Sequence, residues 1–204
     1  ADISKFDSER GSKEAIDHYN SRLKIVYNII ENYTKPTIAM INGYCIGGAM
    51  ELLMACDLSV ASETTLFGEP EVRFGSGIVA MLAPYVIGPK QAKELLLTGN
   101  DRVSAQRCYE MGVLNRVTAE GGEMDAAMAL AQQITSAAPR SVQMTKHAIH
   151  RAYELAQMRA GLLEALETDI EIEADESPER LEFNRIRKEK GLKAALAWRD
   201  GRIA

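Results

Sequence analysis

Positive charge is in short supply. The chain carries 24 lysines and arginines against 29 aspartates and glutamates, a formal net charge of −5 at neutral pH. A broad nucleic-acid or anionic-membrane surface asks for the opposite balance, so neither partner is expected. An anionic small ligand would be held instead by backbone N–H groups and a few placed cations. Cysteine is scarce as well. The three residues, Cys45, Cys56 and Cys108, form no C-x-x-C pair or zinc ribbon and sit among apolar neighbours. They read as reduced, buried thiols of a reducing compartment, which points to the cytoplasm. No long apolar run is present either. The most apolar stretch, 38–56, is broken by Asn42, Gly43, Gly47, Gly48 and Glu51, whereas a membrane span needs about 20 apolar residues with few polar breaks. No secretory or transit signal is visible, and no P-loop, dinucleotide fingerprint or G-x-S-x-G elbow occurs. His147 and His150 stand at i and i+3 of a predicted helix, but no third ligand accompanies them, so they read as helix surface and no metal is expected.

What is present is the composition of an ordinary globular protein: 46% hydrophobic and 26% charged over 204 residues, enough for one substantial domain or a core with a smaller helical part. Residues 4–33 have apolar positions at helical spacing, closed by Pro36 after a turn at Thr34 and Lys35. Thr37–Ile41 is a short apolar run of β-formers and reads as a buried strand. Asn42-Gly43 and Gly47-Gly48 break the chain, and Ala49–Ala55 follows as a helix of strong formers. Strands are expected at Asp57–Ala61 and Thr65–Gly68. Helices are expected over 79–87 and 89–97, and from the cap Ser104 to Met111, where Gly112 stops it. Val113–Val117 reads as a last strand. From 123 onward the pattern is helical: 123–137, 140–158 and on through 174, 178–189, then Gly191 and a short final turn with Trp198. The expected division is an α/β core at 1–120 and a helical region at 121–204, with no internal repeat.

Glu51 is the residue most out of place, a carboxylate inside an otherwise apolar helix. Burial raises a carboxyl pKa towards neutrality, which suits general acid–base work. The alternative is a structural glutamate bonded to a backbone amide or an arginine. Gly47-Gly48 opens the same helix, where free N–H groups carry partial positive charge and a ligand can approach closely. That is apparatus for an oxyanion, although a tight packing turn would use the same residues. Glu69 and Glu71 flank Pro70. Proline is expected to hold its neighbours extended, so that the two side chains point different ways, one towards solvent. The acidic run Asp169, Glu171, Glu173, Asp175, Glu176 reads as a solvated face.

Together these residues resemble a known family. Lys35 to Leu52, with its strand, N-G turn and G-G pair opening a helix that carries Glu51, resembles the signature of the enoyl-CoA hydratase/isomerase (crotonase) family. Phe67-Gly-Glu-Pro-Glu71 is similar to its F-G-x-P-E. Leu97-Thr-Gly, Ala105–Val117 and the C-terminal helices are similar to its later segments, so the resemblance covers the whole chain. It implies a crotonase-like α/β fold, a ββα spiral with a C-terminal helical region that packs homotrimers, often paired as homohexamers. The family's earlier N-terminal strands are absent from this sequence, and the sheet edges they would cover lead to the expectation of a preceding segment or a chain nicked at an exposed loop, ahead of a shortened family member.

The resemblance also implies the chemistry: reversible hydration of a 2-enoyl-CoA, a hydro-lyase reaction of fatty acid metabolism, with coenzyme A thioester as substrate and no cofactor. Glu51 and Glu71 match the acid–base pair, and the presence of both favours hydration. Gly48 N–H matches one donor of the oxyanion hole. Ala1 matches the other, at the head of Ala1-Asp2-Ile3, which matches the CoA-binding A-D-I. After Glu71 the sequence departs from typical hydratases: Gly75 fits, but Val79, Met81 and Leu82 replace later glycines, so a reshaped acyl pocket is expected. Double-bond isomerisation or thioester hydrolysis on the same fold is the first alternative, and a noncatalytic assembly subunit the second.

Overall fold

The computed structural model describes residues 14, 15, 18, 21, 32–78, 81–175 and 177–203. The helix expected over 4–33 therefore lies almost wholly outside the described residues. Beyond it the chain lays down strands two at a time. β1 (Ile38–Ile41) and β2 (Tyr44–Ile46) are separated by the Asn42-Gly43 turn, and helix α1 (Gly48–Ala55) follows. β3 (Leu58–Ser62) and β4 (Leu66–Gly68) repeat the pattern, followed by a 3-10 turn (Glu71–Phe74) and helices α2 (Ala83–Val86) and α3 (Gly88–Thr98). β5 (Val103–Ser104), α4 (Ala105–Met111) and β6 (Arg116–Thr118) complete the α/β part.

The strands alternate between two sheets. One has the order β1-β3-β6 and the other β2-β4-β5. β3 is parallel to both neighbours, Met40 lying opposite Val60 and Ala61 opposite Val117. β4 is parallel to β2 and antiparallel to β5. Parallel neighbours need a crossover, which α1 supplies between β1 and β3. The core fills the space around these elements: Met50, Val60, Ala61, Phe67 and Cys108 have no exposed surface.

Among the described residues five helices follow: α5 (Glu123–Thr135), α6 (Pro139–Leu155), α7 (Met158–Ala174), α8 (Pro178–Lys190) and α9 (Leu192–Asp200). Several of these differ from expectation for local reasons. The helical pattern expected over 140–158 and on through 174 is divided at Gln157, which takes a left-handed conformation with φ 61. The final turn is a nine-residue helix that packs Ala195 with Phe183 and Ile186. The last strand begins only at Arg116, because residues 112–114 close α4: Gly112 is left-handed with φ 89, and Val113 N–H bonds Cys108 O at 2.9 Å. Among the described residues the helix expected over 79–87 is confined to Ala83–Val86. β2 and β5, too short to show a period, were not expected. Cys45 and Cys108 are buried, Cys56 is partly so, and all three are free thiols. Burial pushes the Cys45 and Cys108 thiols up to about 12.

Candidate active site

The site grows out of the β2–β4 ladder. Cys45 lies opposite Phe67 and Ile46 opposite Gly68. The ladder continues one step further, with Gly47 N–H donating to Gly68 O at 2.8 Å. This bond sets the Gly47-Gly48 turn beside the segment that leaves β4, Glu69-Pro70-Glu71. Gly47 has φ 58 and ψ −127, a conformation open in practice only to glycine. A Cβ on Gly47 would overlap Glu71 Oε1. From Gly48 the chain turns into α1, and Met50 N–H and Glu51 N–H both bond Gly47 O, at 2.7 and 3.1 Å. The N–H groups of Gly48 and Ala49, first in the helix, have no intrahelical acceptor by position. Glu51 is 3% exposed, and its Oε2 lies 3.9 Å from where a Cβ on Gly48 would stand. Carboxyl groups from two elements thus face one glycine turn at the positive end of a helix.

A third carboxyl joins them. Thr65, Phe67 and Glu69 are all fully buried, the i, i+2, i+4 face of a strand carried past its end. Of the two glutamates that flank Pro70, Glu69 is thus the one that faces inward, while Glu71 is half-buried. Pro70 has φ −82 and ψ 4, a turn rather than an extended value, and it starts the 3-10 turn that carries Glu71. Proline biases the residue before it towards extended backbone but leaves its own ψ free to turn. Glu69 is pushed well above the usual carboxyl range, first by burial, then by the charges of Glu71 and Glu51 and by a bond to Glu71.

The Glu71 segment is clamped from the other end of the chain. Phe74 stacks on Phe183 of α8 with ring centroids 4.9 Å apart. Arg73 pairs with Asp101 at 3.3 Å and Asp200 at 2.8 Å, and Arg199 pairs with the same two aspartates. Ser76 Oγ and Gly77 N–H donate to Glu173, whose other oxygen pairs with Arg180 at 2.7 Å. A Cβ on Gly77 would meet Asp169, itself 2% exposed. Asp169 and Glu173 are thus buried residues against the loop after Glu71, a correction to the reading of these two as solvated, while Glu171 and Asp175 are exposed as expected and Glu176 lies outside the described residues. Four residues apart, they lie on one side of α7, and that side faces the loop.

Comparison with known proteins settles what kind of scaffold this is. The model of the enoyl-CoA hydratase/isomerase family matches residues 2–181. The chain belongs to that family. A solved enoyl-CoA hydratase/isomerase from Xanthobacter autotrophicus Py2 is 40% identical, with a TM-score of 0.92 over 98% of this chain and 74% of that one. Carnitinyl-CoA dehydratase of Salmonella paratyphi B is 40% identical over 58% of this chain and 46% of its own length. The mevalonyl-coenzyme A hydratase of Aspergillus fumigatus is 38% identical over 61% and 47%. The chain spans about half the length of the curated relatives it matches. Its fold is crotonase-like, with strands leading into a C-terminal helical region.

Within this family fold the described residues place Glu51, Glu71 and Gly48 together. Ala1, Asp2 and Ile3, expected as oxyanion donor and CoA contacts, lie outside the described residues, as does Val79 of the altered pocket loop. A cavity of about 820 Å³ lies away from this site, lined by Leu53, Met54, Tyr85, Ile149 and Leu162 among others and by none of the three glutamates. Its polar end holds Asp57, Lys146 and His150, but Asp57 is committed to Lys146 at 2.7 Å and to Thr37. The cavity therefore offers space without the acid–base pair that the glycine turn provides. His150 lies 3.4 Å from Asp57, so it belongs to this ionic cluster rather than to open helix surface. His147 is exposed. Among the described residues no cluster suited to a metal ion occurs, and no helix is long and apolar enough to cross a membrane.

Proposed function

We propose that the protein catalyses the reversible hydration of a 2-enoyl-CoA thioester. One observation carries the reading: Glu51 and Glu71, from separate elements, converge on the Gly47-Gly48 turn at the start of α1. The thioester carbonyl would accept a hydrogen bond from Gly48 N–H, with Ala1 as the matching second donor. Both donors, and the helix end, favour the negative charge that gathers on this oxygen as the enolate forms. A water between the two glutamates would lose a proton to one carboxylate as its oxygen bonds Cβ. The α-carbon then takes a proton from the other, so that H and OH are added and the pair's protons balance. CoA itself would lie against Ala1, Asp2 and Ile3. The acting form is a homotrimer or homohexamer.

The test uses the full-length protein with crotonyl-CoA and with a 3-enoyl-CoA. Hydration is read from the 3-hydroxyacyl product, isomerisation from migration of the double bond, and hydrolysis from free thiol. Hydration of crotonyl-CoA is the expected outcome. Glu51→Gln and Glu71→Gln should each lower turnover by ~10²–10⁴-fold while acyl-CoA still binds, since glutamine cannot exchange a proton at neutral pH. The two losses should not multiply in the double variant, because the groups act as one unit. Near-normal hydration by Glu51→Gln would make Glu51 structural and leave isomerisation or hydrolysis as the better reading.

A further inference from the structure

Glu69 has no part in the two-glutamate scheme, yet it is the most deeply buried carboxyl beside it. Its backbone is pinned: Glu69 N–H donates to Asn100 O at 3.3 Å, and at Gly68 a Cβ would collide with the 100–101 backbone. The side chain therefore points inward with Thr65 and Phe67. Its relative exposure is 0%, and neither carboxyl oxygen meets a backbone or side-chain donor among the described residues. The titratable groups that face it are Glu71 on the 3-10 turn, Glu51 on α1 and Cys45 on β2. No described lysine or arginine pairs with it. Three carboxylates so placed cannot all be ionised, because burial removes solvation and each like charge adds to the cost. The group with least access to water and no cation is the one that keeps a proton. A carboxylic acid, unlike a carboxylate, has an O–H to donate, and Glu71 is the acceptor beside it.

We propose that Glu69 is a neutral third carboxyl of the site, a positioning residue that donates a hydrogen bond to Glu71 and holds it as the ionised base facing the Gly47-Gly48 turn. Burial first, and then the charge of Glu71, act to keep the Glu69 proton in place, and a charge on Glu51 whenever it is ionised adds to them. A donor to a carboxylate favours its charged form, so Glu71 stays ionised in spite of Glu51 nearby. The proton stays on Glu69 through turnover, while those exchanged with water and the α-carbon belong to Glu51 and Glu71.

The role in turnover rests on the hydratase reading, but the protonation does not, and the experiment separates them. Infrared spectroscopy of the full-length protein at neutral pH, without substrate, should show a protonated carboxyl component that shifts in D₂O, remains in Glu51→Gln and is missing from Glu69→Gln. A parent without this component, or a Glu69→Gln spectrum that loses none of it, overturns the proposal even if hydration proceeds. The band without enoyl-CoA turnover refutes the hydratase reading alone. With turnover, Glu69→Leu should lower kcat by roughly tenfold or more with KM little changed, and raise the acid limb of the pH–rate profile by about one unit, as loss of a bond to a charged group implies. Glu69→Gln, which keeps an N–H donor, should recover most of that kcat and restore the limb. Wild-type kcat and an unmoved acid limb in Glu69→Leu overturn the positioning role.

Discussion

Asp57 shows how much a single side chain can bind together. Its Oδ2 accepts from Thr37 N–H at 2.6 Å, Thr37 Oγ1 at 2.8 Å and Lys146 Nζ at 2.7 Å, while Lys146 also donates to Lys35 O at 3.0 Å. One carboxylate thus ties the entries of β1 and β3 to α6. Burial works against ionising Asp57, yet Lys146 and both donors of Thr37 outweigh it and hold the carboxyl below its ordinary value of 3.8. A depressed folded-state pKa means that the unfolded chain binds the proton more readily. The stabilisation is therefore present above that ordinary value and lost as pH falls through the lower, folded one. Lys146→Met should destabilise by roughly 3 kcal/mol at neutral pH, because it leaves a largely buried charge unpaired. It should also move the onset of acid unfolding to higher pH. Urea unfolding of both proteins across the acid range checks this, and equal stabilities would show that the pair contributes nothing. None of this was legible in the sequence, where Asp57 reads only as the head of a strand and Lys146 follows 89 residues later. Glu69 was hidden differently. The alternation Thr65, Phe67, Glu69 marks it as inward-facing, but proline and a second acid next door suggested a surface loop.

At the scale of elements, the turn between β2 and α1 is the part least able to change. Gly47→Ala should force the backbone out of a glycine-only conformation and press a methyl group into the Glu71 carboxylate. We expect a loss of about 1–3 kcal/mol in stability and of roughly 10²-fold in turnover, as displacement of a reacting group by an ångström implies. Gly43→Ala is the control, since Gly43 has φ 84 but open space around its Cβ position. It should cost about 1–2 kcal/mol and leave turnover alone. Equal activities of the two variants would mean that Glu71 does not depend on the turn. The elements around this turn were readable because their signals are local: an apolar run for β1, strong formers for α1, glycines between. The elements that were misjudged depend on distant partners or on a single dihedral. Gln157 splits α6 from α7 with no glycine or proline to announce it. Asp169 and Glu173 look like surface charge until the loop at Ser76 and Gly77 is placed against them.

Over the whole molecule, the C-terminal helices both support the site and leave a side uncovered. α7, α8 and α9 grip residues 73–77 through Glu173, Phe183 and Asp200, with Arg180 paired to Glu173 and Arg199 to Asp200, so the segment that follows Glu71 is held by side chains about a hundred residues further on. The same region exposes large apolar side chains, including Met128 on α5, Met144 and Leu155 on α6 and Ile172 on α7, with Leu155 71% exposed. Such groups gain nothing from contact with water, and their exposure is what the proposed assembly would cover. Copies of one chain in a closed ring would cover it on every subunit at once. For the homotrimer or homohexamer proposed above, light scattering at working concentration should give a mass three or six times that of one chain. Met128→Arg with Met144→Arg should shift the population towards single chains, because burying an unpaired cation in a packed interface is costly. Turnover should fall with it, since α5 and α6 lead directly into the helices that hold the Glu71 loop. A single-chain mass for the unmodified protein with full activity would overturn both the assembly and the expected link between assembly and turnover.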